Sequence, residues 1–202
     1  MKRSKLFALG LIAFATVFTA CGDDDDDNNT APATGNRVIS QNISANTTWS
    51  NGRVIELDGR IYVENGATLT IEPGTVIKAQ AGKEAQSSAL IVSRGGTLIA
   101  NGTATEPIIF TSVLDEIQPG EIVSPNLDAS FAGLWGGLIM LGNANISADA
   151  AEVQVEGIPT TEDALYGGTD DADNSGSVSY VSIRHGGTLL GDGNEINGFT
   201  LG

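Results

Sequence analysis

One cysteine, one histidine, four lysines and two tryptophans are all that 202 residues contain of these types. A single thiol excludes an intrachain disulfide framework, and a single histidine excludes a multi-histidine metal centre. Charged residues make up 17 %, against roughly 25 % in an ordinary soluble domain. Lysine stands only at positions 2, 5, 78 and 83, so the Glu/Lys pairs that lace the exposed faces of helices are missing. A helical bundle is thereby excluded. Ten basic residues face 25 acidic ones, for a formal charge of -15. Such a surface repels phosphates and argues against nucleic acid as a partner. Glycine is plentiful at 26 residues, and with Thr, Ile, Val and Asn it supplies the alphabet of strands and tight turns.

Residues 1–20 read as an address. Lys2, Arg3 and Lys5 form a positive start, and Leu6 to Ala20 is almost wholly apolar. That stretch is shorter than the roughly 20 residues a bilayer-crossing helix needs and has signal-peptide length. Phe18-Thr19-Ala20-Cys21 resembles a bacterial lipobox, in which cleavage precedes the cysteine and its thiol is lipidated. Phe18 departs from the usual Leu. The duller alternative is a secretory peptide with an incidental cysteine. Two or three acyl chains hold a protein stably on a membrane, each buried CH₂ adding about 0.8 kcal/mol.

Asp23, Asp24, Asp25, Asp26 and Asp27 follow Gly22 directly, and Asn28 and Asn29 follow them. This run repels itself and buries nothing, which predicts a disordered tether over 21–36. It is a solvated spacer on the bland reading. On the sharper one it resembles the lipoprotein export signal of Bacteroidota-type bacteria, which implies the outer leaflet of the outer membrane.

The remainder, 37–202, repeats itself. Tyr62-Val63-Glu64-Asn65-Gly66-Ala67-Thr68-Leu69 aligns with Ile91-Val92-Ser93-Arg94-Gly95-Gly96-Thr97-Leu98 without gaps, at an offset of 29. Ile183-Arg184-His185-Gly186-Gly187-Thr188-Leu189 is a third copy, and Leu138 to Ile146 a looser fourth. Each unit is strand, Gly/Asn corner, strand, and units that bury only one edge must stack. An antiparallel meander accommodates one such pair as a hairpin. A parallel solenoid also explains the recurrence, because equivalent residues then lie about 4.8 Å apart. Val63 and Val92, and Leu69, Leu98 and Leu189, are expected as interior ladders. Arg37 to about Asn51 is expected to cap the first rung. Val113 to Phe131 and Ser147 to Ser177 do not fit the repeat and are expected to project as loops.

Gly66-Ala67-Thr68-Leu69-Thr70-Ile71-Glu72-Pro73-Gly74-Thr75-Val76-Ile77 carries a resemblance, as do Thr105 to Ser112, Trp135-Gly136-Gly137-Leu138-Ile139 and Tyr180 to Gly187. These segments are similar to the right-handed parallel β-helix lipoproteins of Bacteroidota, with a pectate-lyase-like fold. The resemblance implies an all-β right-handed parallel β-helix over most of the chain and a surface address. It implies no particular activity. Since the chain stops just after a rung-like segment, it is expected to be the N-terminal part of a longer protein.

Candidate chemistry is sparse. Lyases on this fold pair acidic residues on neighbouring strands with a base, and hydrolases need carboxylates about 5 to 9.5 Å apart. Ala89 to Ser93, Gly133 to Leu141 and Ser177 to His185 contain neither Asp nor Glu. Glu56, Asp58 and Glu64 are expected at solvated edges. His185 sits beside a Gly-Gly corner, where packing is the default, and Arg184 has no carboxylate ladder to serve as a lyase base. Asp171, Asp173 and Ser175 follow the first half of an oxygen-rich calcium loop, yet position twelve is Ser182 and no helices flank it. Ordinary turn residues are the alternative. Trp49 and Trp135 offer sugar-stacking surfaces or packing against the coil. The balance favours a non-catalytic surface binding or structural module, with polysaccharide or surface glycan as ligand and no cofactor beyond calcium. A carbohydrate-active enzyme is the alternative.

Overall fold

The computed structural model describes residues 35–82, 87–159, 164–191 and 194–202. Among them there is no helix, and so none long and apolar enough to cross a membrane. The chain winds over three parallel sheets. Face A stacks β1 (Arg37–Ile39), β3 (Ile55–Leu57), β6 (Val76–Ala79), β9 (Ile108–Ser112) and β14 (Val181–Ile183) in that order. Face B stacks β4 (Arg60–Val63), β7 (Ala89–Val92), β10 (Leu138–Met140) and β17 (Phe199–Leu201). Face C stacks β2 (Thr47–Trp49), β5 (Thr68–Ile71), β8 (Thr97–Asn101) and β13 (Gly176–Ser179). Each turn visits A, then B, then C. This is an all-β parallel β-helix.

The offset of 29 is the register of the sheets. Val63 pairs with Val92 and Leu69 with Leu98. Period-two alternation then sorts each strand. Ile55, Leu57, Ile77, Ala79, Ile108 and Phe110 fill the interior from face A, and Leu69, Ile71, Leu98 and Ala100 do so from face C. Each of the Ile, Leu and Phe side chains among them contributes about 1.5–3 kcal/mol by leaving water. Corners between faces B and C are four residues, 64–67 and 93–96, and both turn on a glycine of positive φ, Gly66 at 84° and Gly95 at 77°.

Three expectations are corrected. Arg37 to Asn51 is not a separate cap. β1, the Ile43 bridge to Val63, and β2 pair in parallel as a complete first rung. Leu189 is not on the Leu69–Leu98 ladder, where Gly176 follows Leu98. It lies in β15 (Leu189–Gly191), antiparallel to β16 (Asn194–Glu195), and Ile183 of the same copy pairs with Phe110 on face A. The Gly-Gly-Thr-Leu text encodes a local turn, and here that turn serves another corner. The long insertions do not simply project. Residues 113–137 fold back on face A, where Ile117 covers Val54, Val76 and Ile109. Residues 141–159 and 164–175 fold back on face B through β11 (Val153–Gln154), antiparallel to β12 (Leu165–Tyr166), with Val155, Ile158 and Ala164 over Tyr62, Ile91 and Ile139. Those outward residues are apolar and need cover. Of the two alternatives open for the tryptophans, sugar stacking or packing, the structure shows packing. Trp49 and Trp135 are fully buried in the interior, Trp135 stacked on Phe110 with ring centroids 6.4 Å apart.

Candidate functional site

With two faces of the coil covered, face C has no such cover among the described residues. Parallel register places Thr48, Thr70, Ile99 and Ser177 in one outward file, and Thr68 beside Thr97 in a second. Asn101 and Ser179 form a third, in which Asn101 Nδ2 donates to Ser177 Oγ at 2.9 Å and Ser179 Oγ to Asn101 Oδ1 at 3.1 Å. All eight side chains are uncharged, in a chain at -15. Successive rungs repeat them about every 4.8 Å. The surface offers hydroxyls, amides and methyl groups on a regular lattice, and no acid or base.

A buried polar cluster lies under the first insertion. Lys78 projects outward from β6 between Glu56 and Thr111 on the adjacent strands. Its Nζ donates to the Asp115 carbonyl at 2.6 Å. The Asp115 side chain is fully buried and accepts from Thr111 Oγ1 at 2.8 Å, Ser124 Oγ at 2.7 Å and the Ile117 N–H at 3.1 Å. Burial alone pushes its carboxyl up, but bonds from Ser124, Ile117 and Thr111, with the charge of His185, hold it below the usual carboxylate range. Burial pulls Lys78 below the ordinary lysine range, against the opposing pull of Asp115 and nearby glutamates. His185 Nδ1 lies 2.7 Å from the Phe131 carbonyl oxygen, and its Nε2 4.0 Å from Asp115 Oδ2. Arg184 donates to the Ile122 carbonyl at 2.6 Å and to Ser182 Oγ at 2.9 Å. Val123, Leu127, Phe131, Ile183, Arg184 and His185 line an open groove of about 460 Å³ beside the cluster.

Of the residues singled out from sequence, Arg184 and His185 are brought to this cluster, with both side chains committed to holding the insertion. Glu56 accepts from Asn36, and Glu64 from Asn42 at 3.1 Å, while Asp58 is exposed at a corner. Asp171 Oδ1 accepts from the Asn145 N–H at 3.1 Å and from its Nδ2 at 2.9 Å, bonds that hold its carboxyl below the ordinary range. Asp173 Oδ2 accepts from the Asn143 N–H at 3.0 Å, and Ser175 Oγ lies 3.3 Å from the Leu141 carbonyl oxygen. These three stitch the two ends of the second insertion together. Among the described residues no group of three or more His, Cys, Asp or Glu is placed to hold a metal ion. A calcium role for Asp171, Asp173 and Ser175 therefore rests on their sequence pattern. Cys21, Asp23, Asp24, Asp25, Asp26 and Asp27 lie outside the described residues.

Lys78 and Asp115 were not singled out from sequence. A lone lysine within Val76-Ile77-Lys78-Ala79 is the one available signal, because an ammonium in an apolar strand calls for a buried acceptor.

A family model described as a pectate-lyase-like β-helix domain matches residues 41–202. Neither the curated proteins nor the solved structures hold a match.

Proposed function

The chain belongs to the pectate-lyase-like β-helix family, and within that fold we propose, on other grounds than the family's, that it is a non-catalytic binding or structural module carried on the cell surface as a lipoprotein. The observation that carries this reading is the bare, uncharged lattice of face C. Its ligand is a neutral polysaccharide or surface glycan, since a chain at -15 repels acidic polymers. Threonine and serine hydroxyls match sugar hydroxyls, and the Ile99 and threonine methyl groups match the apolar edges of sugar rings. An enzyme needs a convergent acid, base or metal constellation open to substrate. The contact of Asp115 with His185 has both side chains buried, and the Arg94–Glu152 pair is a lone ion pair with no second carboxylate beside it among the described residues. The family's description favours the second reading, a carbohydrate-active enzyme.

One screen separates the two. The protein is offered neutral and acidic polysaccharides with and without Ca²⁺, and both retention and products are measured. Retention of a neutral polymer without turnover is expected, lost when Thr70 and Thr97 are replaced by Glu. Unsaturated products or new reducing ends, abolished by substitution within this chain, would establish the enzyme instead.

The address belongs to the same proposal, with lipidated Cys21 as anchor and Asp23 to Asp27 as export signal. Cys21→Ala is expected to release the protein or leave it unprocessed. Alanine at the five aspartates is expected to retain it facing the periplasm. Unchanged surface protease sensitivity after the second change removes the export reading and leaves the anchor.

A further inference from the structure

Both tryptophans that the sequence offered for sugar stacking are buried in the core. The chain also has three tyrosines. Tyr62 is buried in the cluster beneath the second insertion, and Tyr166 packs against that same cluster. Tyr180 differs from both. It is 62 % exposed and belongs to none of the buried apolar clusters.

Its place in the fold is unusual. β13 ends at Ser179 and β14 begins at Val181, so Tyr180 alone makes the corner from face C to face A. The earlier corners between these faces are longer, at residues 50–54, 72–75 and 102–107. Turning within one residue puts Tyr180 at φ 49°, in the left-handed region. A bulky side chain is an outlier there, whereas Asn and Gly enter it more readily.

The preceding turn of the coil fixes this conformation. The carbonyls of Ser179 and Tyr180 accept from the Gly102 N–H at 2.9 Å and the Ile108 N–H at 3.1 Å. Ser179 Oγ is tied to Asn101 Oδ1 as well. Gly102 lies so close that a Cβ added to it would meet the Tyr180 carbonyl oxygen at 2.6 Å. Strain that its surroundings hold in place points to a position kept for use, not for stability.

The corner borders face C. Ser179 shares a file with Asn101, beside the file of Thr48, Thr70, Ile99 and Ser177. Those files offer hydroxyls, amides and methyl groups but no aromatic plane. Tyrosine supplies a rigid apolar ring with a polar tip at low entropic cost. A pyranose with equatorial hydroxyls keeps its C–H bonds on two flat faces, which pack on such a ring. We propose that Tyr180 is the stacking platform of the face C site and holds one such ring of a neutral glycan at its margin. The inference rests on the glycan-binding reading of face C and deepens it. Asn at this corner would relax the backbone and lose the platform.

The test is affinity electrophoresis of the full chain through gels containing hydroxyethyl cellulose, a neutral polymer of such rings. Retardation of the unaltered protein is expected, kept in Tyr180→Phe and weakened at least about fivefold in Tyr180→Ala and Tyr180→Asn. Thermal melting separates a platform from a packing residue, since Tyr180→Asn should melt roughly 2–4 °C higher. A further readout needs no variant. Nitration of Tyr180 by tetranitromethane, followed by peptide mass spectrometry, should slow when the polymer is present. Full retardation of Tyr180→Ala overturns the platform, and its loss in the Thr70→Glu, Thr97→Glu double variant would then leave the reading of face C intact. Unchanged nitration under retarding conditions, or a lower melting temperature in Tyr180→Asn, overturns the platform too. No retardation of the unaltered protein removes the reading of face C, and the platform with it.

Discussion

The two tryptophans are equally buried, yet their indole N–H groups fare differently. Trp135 Nε1 donates to the Arg184 carbonyl at 2.7 Å, while Trp49 Nε1 meets no acceptor among the described residues. A buried donor without a partner carries its desolvation cost for no return. Trp49→Phe therefore loses packing volume but sheds an unpaired donor, whereas Trp135→Phe leaves the Arg184 carbonyl orphaned. Trp135→Phe is expected to destabilise by about 1 kcal/mol more than Trp49→Phe, as read by urea denaturation of both variants. Equal costs would mean that the Trp135 bond contributes nothing net. Asp115 gives the second residue-scale expectation. Its carboxyl sits below the ordinary range in the folded chain. The stability it adds is complete above the unfolded value and disappears as pH falls through the folded one. Asp115→Ala strips three donors of their acceptor and should cost about 3 kcal/mol at neutral pH. The difference from the unaltered protein should shrink below about pH 4, where carboxyls take up protons. A difference that stays flat from pH 7 to 3 would show that the carboxylate charge is not what these donors need.

Within an element, what matters is which side of the strand a residue occupies. On β8, Leu98 points inward to the Leu69 ladder and Ile99 outward to the bare face. Leu98→Ala should cost about 2–5 kcal/mol through cavity formation, and Ile99→Thr less than about 1 kcal/mol. Comparable losses in thermal melts of the two variants would contradict the assigned register. This alternation was legible in the sequence, because Tyr62 to Leu69 over Ile91 to Leu98 shows both the offset and the inward positions. The destination of each turn was not legible. Gly-Gly-Thr-Leu occurs after β7 and again after β14, and a turn motif records local backbone shape, not the face that follows it. The packing of the insertions was hidden too. Ile117 stands alone in polar, Gly- and Pro-containing text, and the alternation Val153-Gln154-Val155-Glu156 is too short to announce which face it covers. At the candidate site, Arg184 and His185 stood out as rare cations beside glycines. Asp115, which His185 contacts, lies 70 residues away, and Ile122, which Arg184 bonds, 62 away, and nothing local to either segment announces the meeting.

Across the whole coil, the insertions act as covers that one sheet each requires, which makes them separable from the winding itself. The β10-to-β13 connection takes residues 141–175, although the two earlier connections from face B to face C take four residues each. Deleting 143–173 would leave Leu141, Gly142, Asn174 and Ser175, the length those corners use. The strands on either side keep their neighbours, β10 between β7 and β17, and β13 beside β8. A repeat protein built from nearest-neighbour contacts should tolerate such a cut. The deletion variant is therefore expected to keep its β-rich circular dichroism. It would nonetheless uncover Tyr62, Ala89, Ile91 and Ile139, which the insertion now buries, and would lose the Arg94–Glu152 ion pair at 2.6 Å. That pair is partly exposed and contributes no more than about 1 kcal/mol. The uncovered strip is the larger effect, since contiguous apolar surface of this kind drives self-association. Increased binding of a hydrophobic dye and a rise in apparent mass by light scattering are expected at unchanged strand content. Loss of the β signal would instead make the insertion part of the folding core, and an unaltered dye response would show that face B does not depend on it for cover.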